Sequence, residues 1–161
     1  MILTATRIHG HGWREQIAAA QEVIGPHIMQ RLNHVQIVAG IDPVFAGIHN
    51  YEQTANGRSY RKTACCCYPT HMLGPLERRV TTIILPTPDT GWNAVKTIVH
   101  EYGHALDQHI GLAHDCDPVT AYAHTDRQEA FAEAFTSWVW GSLPGYDRPS
   151  DADHALFESL A

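Results

Sequence analysis

Positive charge is scarce in this chain. Eleven lysines and arginines stand against 17 aspartates and glutamates in 161 residues, a formal net charge of −6, and the only lysines are Lys62 and Lys96. No basic stripe is available to follow a phosphate backbone, so nucleic acid is not an expected partner. Long apolar runs are missing as well. A membrane-spanning helix needs about 18 or more consecutive apolar residues, and no such run occurs. The opening MILTATRIHGHGWRE has no apolar core of the kind an export signal carries. Cysteine is sparse and oddly placed: Cys65, Cys66 and Cys67 are consecutive, and Cys116 is alone. Neighbouring cysteines do not form relaxed disulfides with each other, and the absence of any C-x-x-C pair argues against a four-cysteine zinc site. Reduced thiols on a buried or half-buried strand are expected, with a cytoplasmic, reducing location.

At 44% hydrophobic and 17% charged residues, the chain has the makings of a packed core. The length suits one domain over 1–161. It reads as an N-terminal helix and strands over 1–75, a catalytic core over 76–142 and a C-terminal tail over 143–161. No internal repeat and no linker interrupts it. Apolar spacing over 13–32 predicts a helix that Gly25-Pro26 kinks or interrupts. Strands are expected at 35–40 and at 44–50. A hairpin turn at Asn56-Gly57 would lead to a return strand at 59–68. Leu73 to Leu76 reads as a turn. The β-branched run at 79–85 is a further strand, stopped by Pro86. Helices follow over 92–109 and 127–140, separated by a loop. A polar tail ends in a short helix. Helix, strands, then two helices is an α+β pattern.

The second of these helical regions contains His100-Glu101-Tyr102-Gly103-His104, an H-E-x-x-H motif. Residues i and i+4 share a helix face one turn apart. Two imidazoles at that spacing can reach one Zn²⁺ at about 2.0–2.1 Å. The glutamate beside the first histidine is then placed to take a proton from a water on the metal. Its structural alternative is a pair of solvent-facing helical histidines.

A catalytic zinc takes three protein ligands and leaves one position open. A histidine three or six residues past the motif is not available, since those positions are Asp107 and Ile110. His109 faces away from the motif's histidines. Glu129 and Glu133, four residues apart in RQEAFAEAFTSW, share one face of the following helix, opposite Phe131, Phe135 and Trp138. Glu129 also fits the D-x-x-E form of a helix start with Asp126, and Glu133 can be an ordinary polar position. The residues themselves leave these alternatives open.

HEYGHALD, then Tyr122, then EAFAEAF beginning seven residues later at Glu129, resembles the gluzincin zinc metallopeptidases of the anthrax lethal factor and Pro-Pro endopeptidase type. The resemblance covers about residues 80–140; the helix motifs are its specific part. It implies a small zincin-like domain of α+β class. In that fold a mixed or antiparallel sheet lies with an edge strand over the HExxH helix, and a second helix carries the glutamates. It also implies His100, His104 and Glu129 as ligands of one zinc ion per chain, with Glu101 as general base. Tyr122 would donate to the oxyanion, and Glu133 would hold a ligand in place.

Beyond those residues, Asp107 lies on the histidine face and is expected either to accept a ring N–H from a ligand or to form a salt bridge. Gly103 costs about 1 kcal/mol against alanine inside a helix, which points to close approach of a neighbouring element. His124 reads as an exposed loop histidine or a second oxyanion donor. The strand at 79–85 reads either as the edge of a cleft, where an extended peptide adds a strand, or as an internal core strand. The expectation is a monomeric zinc metalloendopeptidase acting on a peptide or protein substrate, with no nucleic-acid or membrane partner. Two rivals are a zinc hydrolase of another amide, such as a peptidoglycan stem peptide, and a non-catalytic, zinc-stabilised interaction or toxin-like module.

Overall fold

The computed structural model describes residues 13–39, 64–67, 81–85 and 93–161. The segments expected as a strand at 44–50, a hairpin turn at Asn56-Gly57 and a turn at Leu73 to Leu76 lie outside the described residues. The first helical region is two helices, α1 (Arg14–Ile24) and α2 (Pro26–Arg31). Gly25 separates them at φ 91°, a conformation that residues with a Cβ rarely adopt. Pro26 then opens α2, where its missing N–H costs nothing. The stripe Ile17, Ala20, Gln21 and Ile24 on α1 is buried at helical spacing.

Strands β1 (Gln36–Ala39), β2 (Cys65–Cys67) and β3 (Thr82–Leu85) form a mixed sheet in the order β1-β3-β2. β3 runs parallel to β1, with Ile37 opposite Ile83, and antiparallel to β2, with Cys66 opposite Ile83. The edge reading of 79–85 is therefore corrected: its core is the central strand. All four residues of β3 are buried. A strand covered on both faces shows a continuous apolar or β-branched run where a half-exposed strand alternates. Among the described residues, the strand at the end of the sheet order, next to the motif helix, is β2.

The motif helix is α3 (Ala94–His109), capped by Asn93, whose side chain accepts from the Lys96 N–H. A short 3-10 turn, Tyr122–His124, precedes α4 (Arg127–Trp140). The polar C-terminal segment ends in α5 (Asp151–Leu160), started by Ser150, whose hydroxyl accepts from the Asp153 N–H. α3 packs chiefly against α4 and α1. Gly103 permits this contact: a Cβ there would lie 2.9 Å from the Ala132 Cα and 3.2 Å from the Ala132 carbonyl oxygen on α4. Phe131 and Phe135 of α4 are fully buried and meet Phe157 of α5 edge-on, with centroids 5.4 and 5.5 Å away. One apolar cluster joins these rings to Ile17, Ile37, Ile83, Ile98 and Leu106. The class is thus α+β, and both the sheet and α4 pack against α3. Among the described residues, no helix is long and apolar enough to cross a membrane.

Candidate metal centre

One face of α3 and one face of α4 meet at His100, His104 and Glu129. The ligating atoms of these three residues all lie within 4.8 Å of one another. His100 Nε2 is 3.0 Å from Glu129 Oε2, and His104 Nε2 is 3.5 Å from the same oxygen. The two rings stand edge to face, 4.8 Å apart and inclined at 87°. Both aim from consecutive turns of one helix, as the i, i+4 spacing requires. Although buried, and although both imidazoles approach it, Glu129 Oε2 closes no hydrogen bond among the described residues. A buried oxygen in this state is costly unless a cation or a donor satisfies it. Two imidazole nitrogens and a carboxylate oxygen are a ligand set that suits zinc, and the orphaned oxygen at their meeting point fits a cation there.

Glu129 also occupies the helix start anticipated from the sequence: its backbone N–H donates to Asp126 Oδ1 at 2.9 Å. The two roles do not compete, because the cap uses the main chain and leaves the carboxylate free to turn toward α3. Electrostatics follow this placement. Burial opposes charge on His100, but the Glu129 and Glu133 carboxylates on either side of its ring outweigh that and raise its pKa to about 10. Burial likewise pushes Glu129 up, while His100 and His104 outweigh it and hold the carboxyl below the usual carboxylate range.

Glu101 is buried beside the histidines. Desolvation raises its pKa, partly opposed by His104 and His100. A backbone hydrogen bond from Cys66 reaches this carboxylate, so β2 touches Glu101 directly. Its Oε2 has no hydrogen-bond partner among the described residues. One part of the group is held and another is left available.

Glu133 lies one turn beyond Glu129 and meets the opposite ring nitrogen of His100, with Oε1 2.8 Å from Nδ1. Three further groups, none of them singled out from the sequence, complete this contact. The Thr120 hydroxyl donates to Glu133 Oε2 at 2.9 Å, and the Tyr146 hydroxyl donates to Oε1 at 3.1 Å. Lys96 Nζ donates to the Tyr146 oxygen at 3.3 Å. Burial opposes ionisation of Glu133, yet His100, Thr120 and Tyr146 together lower its pKa. Tyr146 sits in a Gly- and Pro-containing segment without periodicity, and no local pattern pointed to it.

Tyr122 stands at the mouth of the site, 40% exposed, its ring 6.3 Å from that of His100. His124 and His109 are exposed; the ring of His109 lies 5.6 Å from that of His34, at the far end of α3. Asp107 does not hold a ligand histidine. Fully buried, it accepts two bonds from Arg127, at 2.6 and 2.8 Å, while His104 Nδ1 has no partner among the described residues. The reason is geometric: Arg127, in the first turn of α4, comes down beside Asp107, and a bidentate guanidinium pair occupies both carboxylate oxygens. This pair pins the last turns of α3 to the start of α4.

A second grouping, His114, Cys116 and Asp153, also brings ligand atoms within 4.8 Å of one another. Asp153 is already well supplied there: Oδ1 is 2.7 Å from His114 Nε2, and Oδ2 accepts from the Asp117 N–H at 3.1 Å and the Ser150 hydroxyl at 2.8 Å. No buried polar atom of this group is orphaned. It works as a hydrogen-bonded knot fastening α5 to the loop after α3. Cys66 is half-buried and Cys116 buried, and burial beside Asp153 pushes the Cys116 thiol up.

No protein-family model, no curated protein and no solved structure matches this chain.

Proposed function

We propose that the chain is a zinc-dependent metallopeptidase with a small zincin-like domain of gluzincin type, acting on a peptide or protein substrate. His100, His104 and Glu129 would hold one zinc ion per chain. The observation that carries this reading is the convergence of those three ligands beside a buried glutamate with an unpartnered oxygen. Zinc bound by such a ligand set lowers the pKa of its water to about 7 and polarises a carbonyl.

The chain's own groups do the remaining work. Glu101, with its pKa raised by burial, takes a proton from the attacking water and delivers it to the departing amine. The Cys66 backbone holds the carboxylate, and Oε2, without a partner among the described residues, would be the oxygen that accepts the proton. Tyr122 donates its hydroxyl to the carbonyl oxygen as negative charge builds there. Glu133 would keep a proton on His100 Nδ1, so Nε2, on the Glu129 side of the ring, is the nitrogen that would give up its proton to ligate zinc. A purely structural zinc site closes with a fourth protein ligand and has no use for a base; Glu101 beside a three-ligand set favours the enzymatic reading.

The test is metal content and hydrolysis measured together. Purified protein is expected to carry close to one zinc per chain, which His100→Ala or His104→Ala should strip. Glu101→Gln should keep the zinc and lose nearly all cleavage of a peptide library, since an amide accepts no proton from water. Unchanged metal in both histidine variants rejects the site; full cleavage by Glu101→Gln rejects the base.

A further inference from the structure

The hydrogen bonds around Glu133 have a forced direction. A carboxylate has no proton to give, so every group touching it must donate. Thr120 therefore spends its single hydroxyl proton on Glu133 Oε2. Its oxygen is left to accept, and it accepts the Ala123 backbone N–H at 3.0 Å. Ala123 is the middle residue of the 3-10 turn Tyr122–His124. The same turn is closed from behind by Thr125, whose hydroxyl donates to the Tyr122 carbonyl at 2.8 Å. One hydroxyl thus stands between the carboxylate that orients His100 and the turn that presents Tyr122. The same logic makes Tyr146 a donor to Oε1 and an acceptor from Lys96. His100 Nδ1, 2.8 Å from Oε1, must then carry a hydrogen.

We infer that Thr120 is a positioning residue that couples the aim of the His100 ring, through Glu133, to the placement of the turn bearing Tyr122. This inference rests on the zinc reading proposed above. Thr120 touches neither ligand nor substrate; it acts through the two groups it joins. Removing its hydroxyl strips a donor from Glu133 Oε2 and an acceptor from the Ala123 N–H in one change. A loosened Glu133 should hold the His100 ring less firmly, and an outer group of this kind typically contributes about 10–100-fold in metal affinity or activity.

The variants are Thr120→Val, which keeps the shape and removes the hydroxyl, and Thr120→Ser, which keeps the hydroxyl. Three quantities are read: the zinc dissociation constant by chelator competition, the exchange rate of the Ala123 amide hydrogen, and kcat and KM on a peptide. Thr120→Val is expected to weaken zinc binding about 10-fold or more, to speed Ala123 exchange, and to lower kcat with little change in KM. Thr120→Ser should restore all three. In a Glu133→Gln background, Thr120→Val should weaken zinc binding much less than it does alone, because its route to His100 is already cut. In the unsubstituted protein, zinc loading should slow Ala123 exchange, a measurement that stands even if Thr120→Val fails to fold. A folded Thr120→Val with wild-type zinc affinity, or an Ala123 amide indifferent to zinc, overturns the coupling. Those failures leave the zinc reading intact, whereas zinc uptake that ignores His100→Ala removes both.

Discussion

Alanine at position 103 should weaken this protein and its candidate metal site together. On helix propensity alone the exchange ought to help, since alanine is about 1 kcal/mol better than glycine inside a helix. The packing says otherwise. The added Cβ would sit 2.9 Å from the Ala132 Cα, roughly half an ångström inside the 3.4 Å at which ordinary contact begins. Two more atoms crowd it, the Ala132 carbonyl oxygen and Phe135 Cδ1, each at 3.2 Å. The nearest neighbour is backbone, so no rotamer change relieves the clash; α3 and α4 have to separate. Overpacking of this kind costs about 1–3 kcal/mol. With three close contacts the upper part of that range applies, and after the propensity gain the net loss is about 1–2 kcal/mol.

For a chain of this size, about 1 kcal/mol moves Tm by about 2–4 °C, so Gly103→Ala should melt about 2–8 °C lower in calorimetry of the metal-free protein. The same movement reaches the site, because His100 and His104 ride on α3 and Glu129 on α4. Metal–ligand distances tolerate about 0.2 Å, less than the displacement the Cβ demands. Zinc affinity by chelator competition should therefore fall as well. Ala132→Gly should not rescue it, because the clash is with main-chain atoms that glycine retains. A Gly103→Ala protein that melts higher than the parent, or binds zinc as tightly, refutes the argument.

Glu129→Ala should lower zinc affinity severely, whereas Glu133→Ala should cost about 10–100-fold; the reverse order in a chelator titration would assign the ligand to Glu133. Tyr122→Phe removes one oxyanion donor and should reduce kcat by about 10²–10³ with zinc content unchanged; a defect confined to KM would show that the tyrosine only binds substrate. Burial pushes the Asp153 carboxyl up, but hydrogen bonds from His114, Ser150, the Asp117 N–H and Cys116 outweigh it and lower its pKa below the ordinary 3.8. A depressed folded value means a stabilisation that is complete above the unfolded pKa and lost as pH falls through the folded one. Asp153→Asn should therefore lower Tm at neutral pH and flatten its fall below about pH 4; a variant with the wild-type acid profile would mean that this knot does not anchor α5.

What the sequence made legible follows from the range of its signals. Local spacing places residues on a helix face, so the shared face of His100 and His104 could be read from five residues, as could that of Glu129 and Glu133. Gly103 could be read as a close approach because its cost in a helix asks for a reason. Spacing does not say which strand lies at the edge of a sheet. The run at 79–85 carried the answer in its lack of alternation, but a four-residue buried strand and a cleft edge look alike until the neighbours are known. The C-terminal segment read as a polar tail because its polar residues outnumber its apolar ones; a single ring, Phe157, lodged between Phe131 and Phe135, is enough to make α5 part of the core.

The carboxylates show the limit most clearly. Asp107 and Glu133 looked alike in sequence: each is an acid on the face of a helix that carries a ligand-type residue. Their fates diverge because of what arrives from elsewhere in the chain. Arg127 reaches Asp107 and takes both its oxygens, so the acid is spent on joining α3 to α4. Glu133 receives only single donors, from Thr120 and Tyr146, and these leave Oε1 able to meet His100 as well. A bidentate guanidinium turns both oxygens of Asp107 toward Arg127 and away from the histidines, while the hydroxyls on Glu133 leave Oε1 a site for His100. The loops from 111 to 126 and from 141 to 150 thus decide which acid can serve the site, and their paths are set by tertiary packing that no helical period records.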